Sequence, residues 1–148
     1  MPVHKALISI TSASATLFDG KQPDFLNGED LEIWNNLDSE FRKKLDNMPR
    51  ASELDGSKYG LFFASAGHAS LIDYPTASAL QNIAEQVWAN GGIVTSVCHG
   101  PAIFTNLFDR TTGKPLIQGK KITGFTTEAE NAMGIMAELR GACGAPWC

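Results

Sequence analysis

Cys98 closes the short apolar run Val94-Thr95-Ser96-Val97 and is followed at once by His99-Gly100-Pro101-Ala102. A buried strand that ends on a cysteine, with a helix opening two residues later, has the logic of a nucleophile elbow. The tight turn lifts the side chain above the sheet. Gly100 removes the steric conflict of so sharp a fold, and Pro101 pre-sets helical φ. The positive end of the new helix favours a thiolate over a thiol. The plain alternative is a buried cysteine acting as a small hydrophobe, which describes most cysteines. The glycine and proline that follow tip the balance to the elbow. His99 is placed to support the thiolate or serve as general base, or else simply to cap the turn. His68 ends another apolar run, in Ala66-Gly67-His68-Ala69. Its backbone N–H and that of His99 would together form an oxyanion hole; the bland alternative is an ordinary strand-end turn.

Because Cys98, His99 and His68 all fall at strand carboxyl ends, a metal centre has to be weighed. Zinc-type sites announce themselves by paired spacings such as Cys-x-x-Cys or His-x-x-x-His, and the chain has neither. The reading is a thiol site with no metal and no cofactor. Cys143 and Cys148 bracket Gly144-Ala145-Pro146-Trp147 in an aperiodic tail and read as incidental.

These residues need a scaffold, and the hydrophobic pattern supplies one. Residues 3–10 form a near-continuous apolar run of strand length, followed by a Ser/Thr/Ala stretch and the turn Phe18-Asp19-Gly20. Residues 23–36, rich in Pro, Asp, Asn and Gly, read as irregular. Leu37, Phe41 and Leu45 at four-residue spacing mark a short amphipathic helix over 38–47, ended by Met48-Pro49. Residues 59–66 read as a second buried strand. Pro75 suits the first turn of a helix whose stripe is Ala77, Leu80, Ile83, Ala84, Val87 and Trp88, closed by Asn90-Gly91. A third strand covers 92–97, with 93–97 expected to be central and buried. A helix covers 100–108, a turn 109–115, a short strand 121–125, and a helix capped by Thr127 runs to Arg140. Strands that alternate with helices and are apolar on both faces argue for a parallel sheet sandwiched by helices. Such sheets bind ligands outside the carboxyl ends of their strands, where Cys98 and His68 collect.

The bulk properties narrow the function classes. At 148 residues the chain is the length of one domain, taken as 1–148. It is 43% hydrophobic and 19% charged, a globular balance. The net charge of -4 and the pI near 5.3 argue against nucleic acid. The one basic run, Arg42-Lys43-Lys44, is flanked by Glu40 and Asp46 and reads as a solvated helix face. No stretch of ~18 consecutive apolar residues exists, so no membrane partner is expected. The N-terminus lacks a cleavage site at a sensible distance and reads as a strand, not a signal peptide. An odd cysteine count without framework spacing suggests a reducing compartment, hence a cytoplasmic protein.

The runs Phe62-Phe63-Ala64-Ser65-Ala66-Gly67-His68, Asp73-Tyr74-Pro75, Ala89-Asn90-Gly91-Gly92 and Val97-Cys98-His99-Gly100-Pro101-Ala102-Ile103-Phe104 resemble the ThiJ/PfpI superfamily. More narrowly they resemble its fungal heat-shock branch, the glutathione-independent glyoxalases (glyoxalase III). Asp24-Phe25-Leu26-Asn27-Gly28, Gly113-Lys114-Pro115-Leu116-Ile117 and Ile122-Thr123-Gly124-Phe125-Thr126 fit it too, so the likeness covers about 3–140. The resemblance implies a flavodoxin-like α/β fold, of the class I glutamine amidotransferase-like type. It implies conversion of methylglyoxal, a small 2-oxoaldehyde, to lactate without glutathione or metal. Cys98 would attack the aldehyde as a thiolate, His99 would assist proton movement, and the Gly67–His68 turn would hold the oxyanion. It also implies a stress-response role, chaperone-like activity and a homodimer.

Two departures accompany the likeness. The family's catalytic glutamate follows its first strand, and no glutamate here matches that position; Glu29 and Glu32 lie beyond the join near Gly20. A helix and a strand are expected to be absent at that join, and the family's C-terminal part after the last helix. Three functions are therefore carried forward: a glyoxalase-type lyase, a non-catalytic stress protein with chaperone-like or redox-sensing behaviour, and a cysteine amidohydrolase.

Overall fold

A computed structural model of the chain describes residues 6–9, 27–134, 136, 137 and 140. The Ser/Thr/Ala stretch, the Phe18-Asp19-Gly20 turn, Asp24 and Cys143 and Cys148 lie outside these residues. Three strands, β1 (Ala6–Ser9), β2 (Leu61–Ala64) and β3 (Ile93–Ser96), form a parallel sheet in the order β1-β2-β3. The register is in step: Ala64 stands beside Ser9 on one side and beside Ser96 on the other. The carboxyl ends of β2 and β3 therefore finish level. Whatever follows each strand emerges at the same edge.

Helices α1 (Gly28–Asn35), α2 (Glu40–Asp46), α3 (Ser70–Asp73), α4 (Ser78–Ala89) and α5 (Thr127–Met133) alternate with these strands, as the pattern of buried strands requires. Alternate residues of β2 point to opposite faces, and Phe62 and Ala64 are fully buried on one of them. There they meet the stripe Ile83, Ala84 and Val87 of α4, together with Ile103, Phe104 and Leu107. Tyr74 is buried in the same cluster, and its hydroxyl donates to the Ser65 carbonyl just past β2. Gln81 on α4 donates to the carbonyls of Tyr74 and Pro75 at 2.9 and 3.2 Å. These bonds tie the post-β2 segment to the helix behind it.

Several local expectations need correcting. Residues 28–35, expected to be irregular, form α1, with Glu29 and Asp30 in its first turn favouring the helix dipole. Its side chains are exposed, so no buried stripe advertised it. Pro75 sits in a 3₁₀ turn, Tyr74–Thr76, and α4 opens at Ser78. Strand β3 is at the edge of the described sheet, not central, and Ile93 and Val97 are 52% and 48% exposed. Residues 100–108 contain a 3₁₀ helix, Gly100–Asn106, in place of an α-helix. Residues 121–125 pair with no strand among the described residues. Thr126, not Thr127, caps α5: its hydroxyl accepts from the Ala129 N–H at 3.1 Å. That helix ends at Met133, with Gly134 in the left-handed conformation (φ 70°).

Candidate active site

The loop after β3 carries the sharpest backbone feature. Cys98 has φ 55°, and it is the one non-glycine residue with positive φ among the described residues. A side chain held in this left-handed region costs about 1–3 kcal/mol, which packing around it must offset. The offset is visible in the flanking bonds. Val97 N–H donates to the Ala64 carbonyl at 3.2 Å, and Gly100 N–H donates to the Val97 carbonyl at 2.7 Å. Phe125 N–H donates to the Cys98 carbonyl at 2.9 Å. Gly100 is compulsory here, because a Cβ on it would lie 2.4 Å from the Ala64 carbonyl oxygen. The elbow expected at Cys98 is thus present. The helix it introduces is a seven-residue 3₁₀ segment, so the dipole it offers is short.

His99 supplies what the dipole does not. Its Nδ1 lies 3.2 Å from Cys98 Sγ, and its Nε2 is hydrogen-bonded to Glu130 Oε1. The second carboxylate oxygen of Glu130 is 3.1 Å from His68 Nε2. His99 and Glu130 are buried; His68 and Cys98 are half-buried. The four side chains form one chain of contacts: thiol, imidazole, carboxylate, imidazole. A carboxylate accepts only, so each imidazole donates an Nε2–H to it, leaving the Nδ1 lone pair of His99 facing the thiol. Phe125 flanks the pair, its ring centroid 4.7 Å from that of His99 and edge-on to His68 at 6.2 Å. The two imidazole centroids are 4.3 Å apart.

Each member has its own structural support. Cys98 and His99 follow β3, and His68 follows β2 after a turn in which the Ser70 hydroxyl and N–H both donate to the Gly67 carbonyl, at 2.8 and 3.0 Å. Glu130 comes from α5. Segment 121–125, though it pairs with no strand among the described residues, positions α5 by the Phe125–Cys98 bond and by Gly124, which packs against Pro101. Glu29 and Glu32 are exposed on α1. Of the residues picked from sequence, Cys98, His99 and His68 converge. Gly67 borders them as an exposed turn residue whose missing Cβ would meet open space. His68 enters through its ring, a contact that the backbone-only oxyanion reading did not foresee. Glu130 was missed altogether. It shares the first turn of α5 with Glu128, where acidic residues are ordinary dipole partners, and no sequence signal separates the two.

No family model matches the chain. Glyoxalase 3 of Candida albicans is 58% identical over 113 residues, 76% of this chain and 48% of that protein. The chain is a homologue of the fungal glutathione-independent glyoxalases. A second relative, the glutathione-independent glyoxalase Hsp31 of Saccharomyces cerevisiae, is 51% identical over 117 residues, 79% of the chain and 49% of the relative. The crystal structure of glyoxalase III from Candida albicans superposes with a TM-score of 0.72 at 51% identity, covering 83% of this chain and 56% of that one. The ThiJ/PfpI resemblance and the flavodoxin-like α/β fold hold. The homologue spans about half the length of the curated relatives it matches. Among the described residues no helix is long and apolar enough to cross a membrane.

Proposed function

We propose that the chain carries glyoxalase chemistry, converting methylglyoxal to lactate through a Cys98 thiolate without glutathione. The observation that supports this most is the line Cys98–His99–Glu130, a nucleophile, its base and the group that orients the base. His99 Nδ1 takes the thiol proton, and the Glu130 carboxylate stabilises the imidazolium that results. The thiolate adds to the aldehyde carbon, and the alkoxide takes the proton back from His99, giving a hemithioacetal. The Gly67–His68 turn, pinned by Ser70, is proposed to hold that oxygen as its charge develops. His99 then removes the hydrogen from the former aldehyde carbon and returns a proton to the neighbouring carbon through an enediol, leaving a lactyl thioester. One water hydrolyses the thioester to lactate and regenerates the thiol. No redox partner is needed, because one carbon is oxidised as its neighbour is reduced.

A working thiolate needs a reducing, cytoplasmic setting. Family resemblance adds a stress-response role and a homodimer to the proposal. The deciding experiment pairs lactate release with the mass of a methylglyoxal adduct on Cys98. Both should vanish in Cys98→Ser. Lactate release that survives in Cys98→Ser would overturn the reading.

A further inference from the structure

The geometry points to a second use of the same pocket: His68, His99 and Glu130 form a binding site for a zinc-class divalent ion, whose occupancy switches off His99 as a base. One donor atom from each residue lies within 4.8 Å of the others. Donors about 2.1 Å from one tetrahedral ion lie about 3.4 Å apart, so modest side-chain contraction suffices. Two imidazoles and one carboxylate suit zinc, copper, iron or nickel, whereas magnesium and calcium demand oxygen donors. Three protein ligands with an open fourth position is the pattern of an accessible zinc site, not of a closed structural one. His68 is half-buried, which leaves the ion a way in. No spacing rule finds this trio, because residues 68, 99 and 130 come from three different elements.

The charge arithmetic favours occupation. The Glu130 carboxylate is buried between two imidazoles, and a divalent ion bound there gives it a counter-charge. A buried carboxylate with a counter-charge is cheaper than one without. Coordination uses the Nε2 lone pair of each imidazole, so the single proton on each ring moves from Nε2 to Nδ1. His99 Nδ1–H then donates to Cys98 Sγ, 3.2 Å away, and serves as the outer partner that orients a metal-bound histidine. In this tautomer His99 has no lone pair left to accept a proton. Proton transfer from the thiol to the ring therefore stops. Metal binding itself does not depend on the glyoxalase reading; only its inhibitory consequence does.

The test is titration of chelator-treated protein with zinc chloride, followed calorimetrically, and with cobalt(II) chloride, followed by its visible spectrum. One equivalent of zinc should bind the wild type, with affinity within about threefold in Cys98→Ser and lower by at least about 100-fold in His68→Gln. Glutamine keeps a donor for Glu130 and so spares the hydrogen bond while removing the ligand. The cobalt spectrum of the unmodified protein needs no variant: it should show nitrogen and oxygen ligation with no thiolate charge-transfer band. If the chain releases lactate, one equivalent of zinc should reduce the rate at least tenfold and EDTA should restore it. Absence of stoichiometric binding, loss of binding in Cys98→Ser, or a thiolate band with cobalt would each overturn the site. Unchanged lactate release with zinc bound would overturn the switch.

Discussion

Replacing Glu130 by glutamine isolates the charge in the site from its shape. Glutamine has the same length, so packing at this buried position is kept, and its one oxygen can still accept from one of the two imidazoles. What it lacks is the negative charge that meets His99 once the thiol proton has moved onto the ring. Unit charges about 4 Å apart at an effective dielectric of about 20 attract by about 4 kcal/mol. Some of this is recovered by the amide dipole, so a loss of about 2–4 kcal/mol is expected in forming the thiolate–imidazolium pair. At 1.36 kcal/mol per factor of ten, that is a fall of about 30- to 1000-fold in the reactive fraction. The amide has a further harmful option. If its NH₂ faces Nε2, the ring carries its proton on Nδ1 and presents a donor to the thiol, the wrong tautomer for a base. The assay is the second-order rate of Cys98 alkylation by iodoacetamide at pH 7, read by intact mass, with near-UV circular dichroism to verify the fold. An alkylation rate within threefold of the wild type would refute the argument, because the lost charge and the altered tautomer both act to slow thiolate formation.

Three further outcomes follow from backbone geometry and from the surface. Gly100→Ala should destabilise the fold by about 1–3 kcal/mol in urea unfolding, since its Cβ would sit 2.4 Å from a backbone oxygen that cannot swing aside. Cys98→Gly should be more stable than Cys98→Ala by about 1 kcal/mol, because glycine accepts φ 55° without strain; equal melting temperatures would remove the strain from the elbow. The Asp109 carboxyl is held below its ordinary 3.8, first by the Thr111 backbone N–H and then, against the opposing effect of burial, by the Trp88 indole and the Thr112 N–H. A lowered carboxyl contributes stability above its unfolded value and loses it as pH falls through the folded one, so acid sensitivity below about pH 4 should shrink in Asp109→Asn. Unfolding midpoints measured from pH 5 down to pH 2 would show it, and parallel curves for the two proteins would count against it.

How much of this was legible in the sequence depends on whether the responsible interaction is local. Strand β2 was readable as a continuous apolar run of strand length, and helix α4 because its apolar stripe repeats with a period of 3.6. The elbow was readable because Gly100 and Pro101 are adjacent to Cys98 and each constrains backbone directly. Helix α1 was not readable: its side chains are exposed, and Pro, Asn and Gly around it mimic a loop. Residues 121–125 carry a β-like composition, but composition does not say whether a partner strand is at hand. The same limitation placed β3 in the middle of a sheet on the strength of its apolar residues alone.

Glu130 shows the limit most sharply, and it also revises the chemistry. Reading the chain against its family put weight on a glutamate after the first strand. The fold gives His99 a carboxylate from the opposite direction in sequence, 31 residues downstream. This works only because three tertiary constraints agree. The level ends of β2 and β3 place His68 and Cys98 at one edge; the Phe125–Cys98 bond brings the next segment back across that edge; and Thr126 starts a helix there, so that Glu130 falls on its inner face. Remove the Phe125–Cys98 contact and the carboxylate has no reason to meet either imidazole. Segment 121–125, which pairs with no strand among the described residues, therefore has a direct part in setting the carboxylate against both imidazoles.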